Sequence, residues 1–437
     1  MKKSLKIKSC PQVSNLKMDI DVNAATLSQL INLQQQYGDI FKINSNKNTP
    51  SYFINDPTLI KALLVKNHSN YKKGPGFERI KMLLGNGLIV SDGETWRRAR
   101  TMIQPTFARQ NIHKLVQQML VCSQNRALRW DKLIIKNQLI NITEEMSEFA
   151  LELILKSIFG EDYDVLIDKG NENPFAFLSK DSTRDLSVVM KMRNLRNHIL
   201  SIITNRRQLK REVTDYDFLS MYLKAEDKSG NKFTDVELID EIITLIVAGY
   251  ETSAGTLNWA WYLLSTHKDE EEKLHHEAKP IFTDLNTLNI ETINSMSYTQ
   301  AILEETLRLY PPVWLFSRKT TNDDILEGYE IPINSNLFIS PYILHRSKQF
   351  WNNHDKFNPE RFNQKSEAKK INSAYFPFSL GPRRCLGEYF SFLEMKIHLG
   401  YLINKYRIVP TQDNKPQLNL GINLRSSDDI SLQLELR

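Results

Sequence analysis

The chain has 437 residues, 41% hydrophobic and 25% charged, enough for a sizeable core in one large domain or two ordinary ones. Basic residues number 57 against 51 acidic ones, and the net charge of +6 is too mild for a uniform nucleic-acid binder. Three widely spaced cysteines, Cys10, Cys122 and Cys385, exclude a disulfide framework and a cysteine-rich zinc cage, and they suit a reducing cytoplasm.

Residues 1–19 carry scattered Lys and no apolar run, so they read as a loosely ordered lead-in, not a signal peptide or membrane anchor. Residues 25–37 have helical periodicity, and 39–43 and 51–54 alternate like short strands around an Asn/Lys-rich turn. Asp56-Pro57 predicts a helix start, with Asp as the cap and Pro in the first turn. Gly74-Pro75-Gly76 and Gly85-Asn86-Gly87 punctuate a segment expected to be mostly loop with one short helix. Trp96 and Arg100 then stand four apart on one helix face, where an indole N–H and a guanidinium can reach one carboxylate. An amphipathic helix edge with an ordinary surface Arg fits that pair as well. Residues 112–223 read as successive amphipathic helices, broken near 160–162 and 170–174. No repeat or low-complexity linker interrupts the pattern, so 1–437 reads as a single domain, with 226–233 a polar loop inside it.

A helix over 234–266 follows, about 50 Å long at 1.5 Å per residue. Thr234 and Glu237 are placed to form a capping box at its start. Its apolar stretch is interrupted by Glu241, Glu251 and several Thr and Ser, too polar for a membrane span. The centre reads Ala248-Gly249-Tyr250-Glu251-Thr252. Glycine mid-helix costs about 1 kcal/mol and calls for a compensating role. The Thr252 hydroxyl can bond back to the Ala248 carbonyl and locally open the helix. With Glu251 it could then hold water and relay protons; the other reading is a buried helix with one polar notch. Thr244, Val247, Ala248 and Thr252 share one stripe of the helix.

Residues 269–279 read as a charged surface helix, and 297–310 as a helix stopped by Pro311-Pro312 that sets Glu305 and Arg308 three apart on one face. Short strands are expected at 313–319, 328–331 and 336–340, and His345 reads as a core histidine. Phe357-Asn358-Pro359-Glu360-Arg361-Phe362 precedes the most informative stretch, Phe378-Ser379-Leu380-Gly381-Pro382-Arg383-Arg384-Cys385-Leu386-Gly387. A helix at 389–404 and two short strands around Gly421 close the chain. Cys385 is expected where that helix begins, beside basic residues, so that helix-end N–H groups and guanidinium charge favour its thiolate. Gly381 and Gly387 would let the backbone turn sharply and a flat body approach, and Phe378 can shield the sulfur from water. A structural cysteine beside a turn is the plainer alternative.

The spacing Phe-x-x-Gly-x-Arg-x-Cys-x-Gly resembles the heme-ligand loop of the cytochrome P450 family. Four further stretches resemble that family's motifs, in its order: Trp96-x-x-x-Arg100, Ala248-Gly249-x-Glu251-Thr252, Glu305-x-x-Arg308, and Phe357-x-Pro359-x-Arg361-Phe362. The resemblance covers nearly the whole chain, and no motif position departs from it. It implies a mainly α fold with small β-sheets, a triangular helical prism with heme b (iron protoporphyrin IX) between the long central helix and the cysteine loop. It implies a Cys385 thiolate as axial ligand, pushing electron density toward iron to help O–O cleavage. Trp96, Arg100, Arg318 and Arg383 would bind the propionates, with Phe378 and Gly387 beside the cofactor. Glu251 and Thr252 would deliver protons, and Glu305, Arg308 and Arg361 would form a buried structural cluster. Thr244, Val247, Ala248, Val313, Trp314 and Leu315 would line an apolar substrate pocket.

The implied activity is monooxygenation: one atom of O2 enters an apolar or amphipathic small molecule (a lipid, terpenoid, polyketide or aromatic compound) and the other leaves as water. A heme-thiolate peroxygenase, an isomerase or dehydratase of an oxygenated lipid, and a non-enzymatic heme-binding sensor stay open; none of them needs the Glu251–Thr252 pair. The sequence has no flavin or iron–sulfur motif, so a ferredoxin or flavodoxin with its NAD(P)H-dependent reductase is the expected electron source. Arg97, Arg98 and Arg384 are the expected docking charges for such an acidic partner. Microsomal members of the family carry an N-terminal anchor; this chain resembles the soluble, bacterial-type members, which places it in the cytoplasm.

Overall fold

The computed structural model describes residues 7–13, 23–44, 48–163, 186–208, 216–363, 374–409 and 415–437. The turn expected at 45–47 and the helix break at 170–174 lie outside the described residues. The fold is mostly helical with small sheets, as expected. The chain divides into two compact units built from separated stretches. One comprises the residues up to Glu78, Glu304–Cys385 and Lys415–Asp428; the other comprises Arg79–Leu303, Leu386–Asn414 and Asp429–Arg437.

The first unit is built on a five-stranded mixed sheet. Ile40–Asn44 pairs antiparallel with Ser51–Ile54, which runs parallel to Asn336–Ile339. Phe316–Thr320 and Tyr71–Lys73 complete the order, both antiparallel to their neighbours. Val313, Trp314 and Leu315 precede this strand instead of opening it. Asp56 caps the next helix as its sequence predicts, accepting from Thr58 N at 2.8 Å and Leu59 N at 2.9 Å. The hairpin Asp324–Leu326 to Tyr329–Ile331 turns through Glu327 and Gly328, both at positive φ, the geometry of a two-residue primed turn. The lead-in is tighter than expected where it is described. Lys8 N donates to Gly328 O, Val13 N to Lys42 O, and Lys42 N to Pro11 O, so residues 7–13 are tied by backbone bonds to two strands.

The second unit is built around the helix Asp235–Thr266, whose capping box forms as predicted between Thr234 and Glu237. The helix Ile142–Phe159 packs along it, and a Cβ on Gly249 would lie 2.9 Å from the Ile154 side chain. That close approach is the compensating role the mid-helix glycine called for. Trp130, Trp259 and Trp261 fill the core, with Trp130 and Trp261 edge to face at 5.4 Å. The helix Lys268–Phe282 is less a surface element than its charges suggest. Glu271 on it is fully buried, pairing with Lys268 and Arg437 and accepting from Ile408 N at 3.0 Å.

Glu305, Arg308 and Arg361 form the buried cluster that their motifs predict. Arg308 grips Glu305 through both carboxylate oxygens, Nε–Oε2 at 2.6 Å and Nη2–Oε1 at 2.8 Å. Arg361 Nε adds a third bond at 3.0 Å and Asn358 N a fourth at 2.9 Å. One carboxylate cannot balance two guanidinium groups. The remaining donors go to backbone carbonyls, Arg308 to His345, His354 and Lys356, and Arg361 to Asn352, Asn353 and Lys356. Those dipoles offset the excess charge and fix an irregular segment of chain. Arg361→Ala should therefore destabilise the protein by about 3–5 kcal/mol, because it leaves part of the cluster without donors in a dry site. Urea denaturation of the heme-free protein checks this, with Arg361→Lys recovering only part of the loss; a wild-type midpoint for the alanine variant would remove the cluster's structural role.

Candidate functional site

The cysteine loop belongs to the first unit as far as Cys385. Cys385 N donates to Phe378 O at 2.9 Å, closing the loop on itself. Ser379 and Gly381 both adopt positive φ, 63° and 70°. A Cβ on Gly381 would stand 2.1 Å from the Leu64 carbonyl oxygen, so only glycine fits there. Gly387 differs: its φ of −80° is open to any residue, and the turn does not require glycine there. The helix begins at Glu388 with Gly387 as its cap, which leaves Cys385 two residues ahead of the cap and outside the first turn. Upstream, Phe376 N donates to His345 Nε2 at 3.1 Å. That bond needs a neutral imidazole. Burial, with the Arg308 and Arg346 charges adding to it, pushes His345 down to about 3. His345 is the structural residue its sequence context suggests.

Of the three cysteines only Cys385 is exposed. Burial pushes the Cys10 thiol up to about 11 and the Cys122 thiol up to about 12. Among the described residues no group of three or more His, Cys, Asp or Glu side chains is placed to hold a metal ion. A lone accessible sulfur with Arg383 and Arg384 beside it fits heme, a group that brings its own metal ligands and carries anionic arms. Arg318 is buried in the same unit, its Nη1 donating to the Ser317 carbonyl at 2.9 Å and its guanidinium 5.0 Å from the Phe316 ring centre. Trp314 offers no lining surface: it is 1% exposed and its Nε1 donates to Gly421 O at 3.0 Å, so it is core rather than pocket wall. Val313 is exposed and Leu315 half-buried.

In the second unit, Thr252 Oγ1 donates to Ala248 O at 2.8 Å, the back-bond its sequence predicts. Thr256 Oγ1 repeats this toward Thr252 O at 2.8 Å. Val247, Ala248, Gly249, Glu251 and Thr252 are half-exposed in a helix otherwise largely buried. Thr244 is not: it lies under Gly87, where a Cβ would meet its Oγ1 at 2.2 Å. Asp240 accepts from Asn86 N at 2.7 Å and from Arg196 at 2.6 Å, while Glu241 accepts from Leu88 N at 2.9 Å. Burial, the Asp240 charge and the Glu237 charge push Glu241 up to about 8, although the Leu88 bond opposes them. Sequence reasoning took Gly85 and Gly87 for punctuation and missed that they let the loop lie flat on this helix turn.

Trp96 and Arg100 share the helix Gly93–Ile103 and are both half-exposed. The docking reading of Arg98 does not hold. Its guanidinium is committed to Asp227 at 2.8 Å, Glu237 at 2.7 Å and the Lys232 carbonyl at 3.0 Å. Arg97 remains exposed, paired with the still more exposed Glu94. The structure thus gathers Phe378, Arg383 and Cys385 in one loop, Glu305, Arg308 and Arg361 in one cluster, and Val247, Ala248, Glu251 and Thr252 on one helix stretch; it moves Trp314, Thr244 and Arg98 into packing roles.

Residues 13–431 match the family model described as Cytochrome P450. Cyclooctatin synthase of Streptomyces melanosporofaciens is 28% identical over 404 residues, covering 88% of this chain and 87% of its own. Pentalenene oxygenase of Streptomyces avermitilis is 26% identical over 398 residues, 87% of each. The chloroplastic protein LUTEIN DEFICIENT 5 of Arabidopsis thaliana is 27% identical over 464 residues, covering 98% of this chain and 77% of its own.

The two loop glycines should respond differently to an added methyl group. Gly381→Ala should lower heme-free stability by about 1–3 kcal/mol from its φ alone, and more from the Leu64 contact. Gly387→Ala should leave that stability unchanged yet weaken heme binding, if its glycine serves close approach. Urea denaturation and heme titration measure the two effects; equal stability losses would mean that Gly387 is held by the fold itself.

Proposed function

Because the chain belongs to the cytochrome P450 family, whose members are heme-thiolate monooxygenases, we propose that Cys385 is the sulfur on which its oxygen-inserting centre is built. The observation that carries this is the complete loop, closed by the Cys385–Phe378 backbone bond and presenting the one exposed thiol. When bound, heme supplies the activation of dioxygen by an electron-rich, thiolate-ligated iron. Trp96, Arg100, Arg318 and Arg383 would bind its propionates through N–H donors. The Thr252 hydroxyl, donating to Ala248 O, keeps its lone pairs available to a proton-bearing partner, and half-exposed Glu251 beside it would share in proton delivery. Val247, Ala248, Val313 and Leu315 would meet the substrate, and their apolar side chains favour a hydrocarbon-rich one. The names cyclooctatin synthase and pentalenene oxygenase favour a terpenoid within that range and a place in secondary metabolism. We read 1–437 as one heme domain.

The spectrum of the reduced, carbon-monoxide-bound protein tests the centre directly. A strongly red-shifted Soret band is expected for wild type and its loss for Cys385→Ala, with the variant still folded. An ordinary heme band in wild type would overturn the thiolate assignment.

Family membership implies a redox partner, and a ferredoxin or flavodoxin with its NAD(P)H-dependent reductase is the proposal, in the cytoplasm. Among the described residues no helix is long and apolar enough to cross a membrane. Small carriers of this kind are acidic, and exposed Arg97 and Arg384 suit them. Arg97→Glu should slow the first electron transfer, most at low ionic strength, with heme content unchanged. Identical reduction rates for wild type and variant across a salt series would remove Arg97 from the docking face.

A further inference from the structure

The second unit holds a buried carboxyl that the reading above leaves unused. Glu394, on the helix Glu388–Lys405, is 2% exposed, and its Oε1 accepts from Ser253 Oγ, a hydroxyl 3% exposed on the long helix. Ser253 is the residue after Thr252. On the helix Val116–Ile135, Cys122 is buried within electrostatic reach of Glu394, and burial pushes its thiol up. One turn further along its own helix is His398, fully buried and held neutral by burial and the Arg126 charge, with Nδ1 at 3.3 Å from Ser123 Oγ. Among the described residues no guanidinium or ammonium group forms an ion pair with Glu394. Burial without a cation pushes the carboxyl up to about 8, the Ser253 bond opposing only part of it. That shift favours the protonated acid at neutral pH.

The turn it touches needs an outside anchor. It contains Gly249, and two of its carbonyls, Ala248 and Thr252, carry an extra side-chain hydroxyl, at 2.8 Å each. Such back-bonds loosen and bend helices. Successive helix residues project about 100° apart, so Ser253 reaches Glu394 while Thr252 faces another way. We infer that Glu394 is a positioning residue for Thr252, fixing through Ser253 the turn that presents the Thr252 hydroxyl. This rests on the proton role proposed for Thr252. A neutral acid suits the task because it accepts the serine hydroxyl without leaving a bare charge in a dry site.

The test compares wild type, Glu394→Gln, Glu394→Leu, Ser253→Ala and Thr252→Ala as holoenzymes. Two quantities are read: product formed per NAD(P)H consumed, and, without turnover, hydrogen exchange across residues 248–256. Glu394→Leu and Ser253→Ala should lose coupling and gain exchange by roughly twofold or more, at wild-type heme content and substrate affinity. Glu394→Gln, still a neutral acceptor, should retain both at pH 7. Raising the pH through 8 should uncouple wild type and leave Glu394→Gln unchanged. Thermal scans supply a second handle. The folded carboxyl keeps its proton between the ordinary value of 4.5 and about 8 while the unfolded chain releases it, so wild-type stability should fall across that window and the Gln variant's should not. Wild-type coupling and exchange in Ser253→Ala and Glu394→Leu overturn the positioning role alone, provided Thr252→Ala uncouples. Full coupling in Thr252→Ala overturns the proton reading and the positioning role with it. A Gln variant as uncoupled as the Leu variant, or sharing the wild-type pH profile, overturns the neutral-acid anchor.

Discussion

Two guanidinium groups sharing one carboxylate form an incomplete ion pair, and the rest of the first unit depends on how it is completed. Arg308 and Arg361 exhaust Glu305 and turn their remaining N–H groups on the carbonyls of residues 345–356. From there a chain of bonds leads to the thiol. Arg308 holds the His345 carbonyl; His345 Nε2 holds Phe376 N; Phe376 O accepts from Ser379 N; Phe378 O accepts from Cys385 N. Each link is an ordinary hydrogen bond. Together they carry the rigidity of a buried ionic cluster to a loop whose own regular structure is one short 3-10 turn, Gly381–Arg383. His345 serves this chain only as a neutral ring, kept so by burial first and by the Arg308 and Arg346 charges beside it.

The second unit meets a different constraint. Its long helix packs along Ile142–Phe159 and also carries a turn loosened by a side-chain back-bond. Gly249 serves the packing side, letting Ile154 close in, while the Thr252 and Thr256 back-bonds weaken the ladder on the next turns. Val247, Ala248, Gly249, Glu251 and Thr252, all half-exposed, fall where both effects act. A helix of uniform Ala and Leu would neither admit Ile154 this closely nor present that notch.

What was legible in the sequence was local or motif-borne. The Thr234–Glu237 capping box and the Asp56 cap could be read because donor and acceptor stand within three residues of each other. The Thr252–Ala248 bond followed from helical spacing alone. Glu305 and Arg308 could be paired by spacing, but Arg361 joined them only through the family resemblance. The misplaced residues share one property: their partners are far away in sequence. Arg98 looked free because Asp227 and Glu237 lie in a distant loop and helix. Trp314 looked like pocket lining because nothing local announces a bond to Gly421. Gly387 is a separate case: both loop glycines were expected to serve a sharp turn, yet only Gly381 has a backbone conformation that demands glycine. Residue type and periodicity report which side chains are able to interact; they do not report which distant partner has been chosen.

The buried acids show what that choice decides. Glu305 faces two guanidinium groups and serves as the centre of an ionic knot. Asp240 and Glu241 are neighbours on one helix turn, yet Asp240 faces Arg196 whereas Glu241 faces a backbone N–H and rises toward neutrality. Glu394 faces a hydroxyl and does the same. The same functional group thus acts as a counter-ion in one place and as an uncharged acceptor in another, according to whether a cation reaches it. On the long helix the two neutral acceptors bracket the exposed notch, Glu241 on the turns before it and the Ser253–Glu394 bond just after it. Charge at either point would draw water toward that half-exposed stretch. Burial raises both carboxyls, with the Asp240 and Glu237 charges adding to it at Glu241, so hydrogen bonds fix the helix while the charge near it stays low.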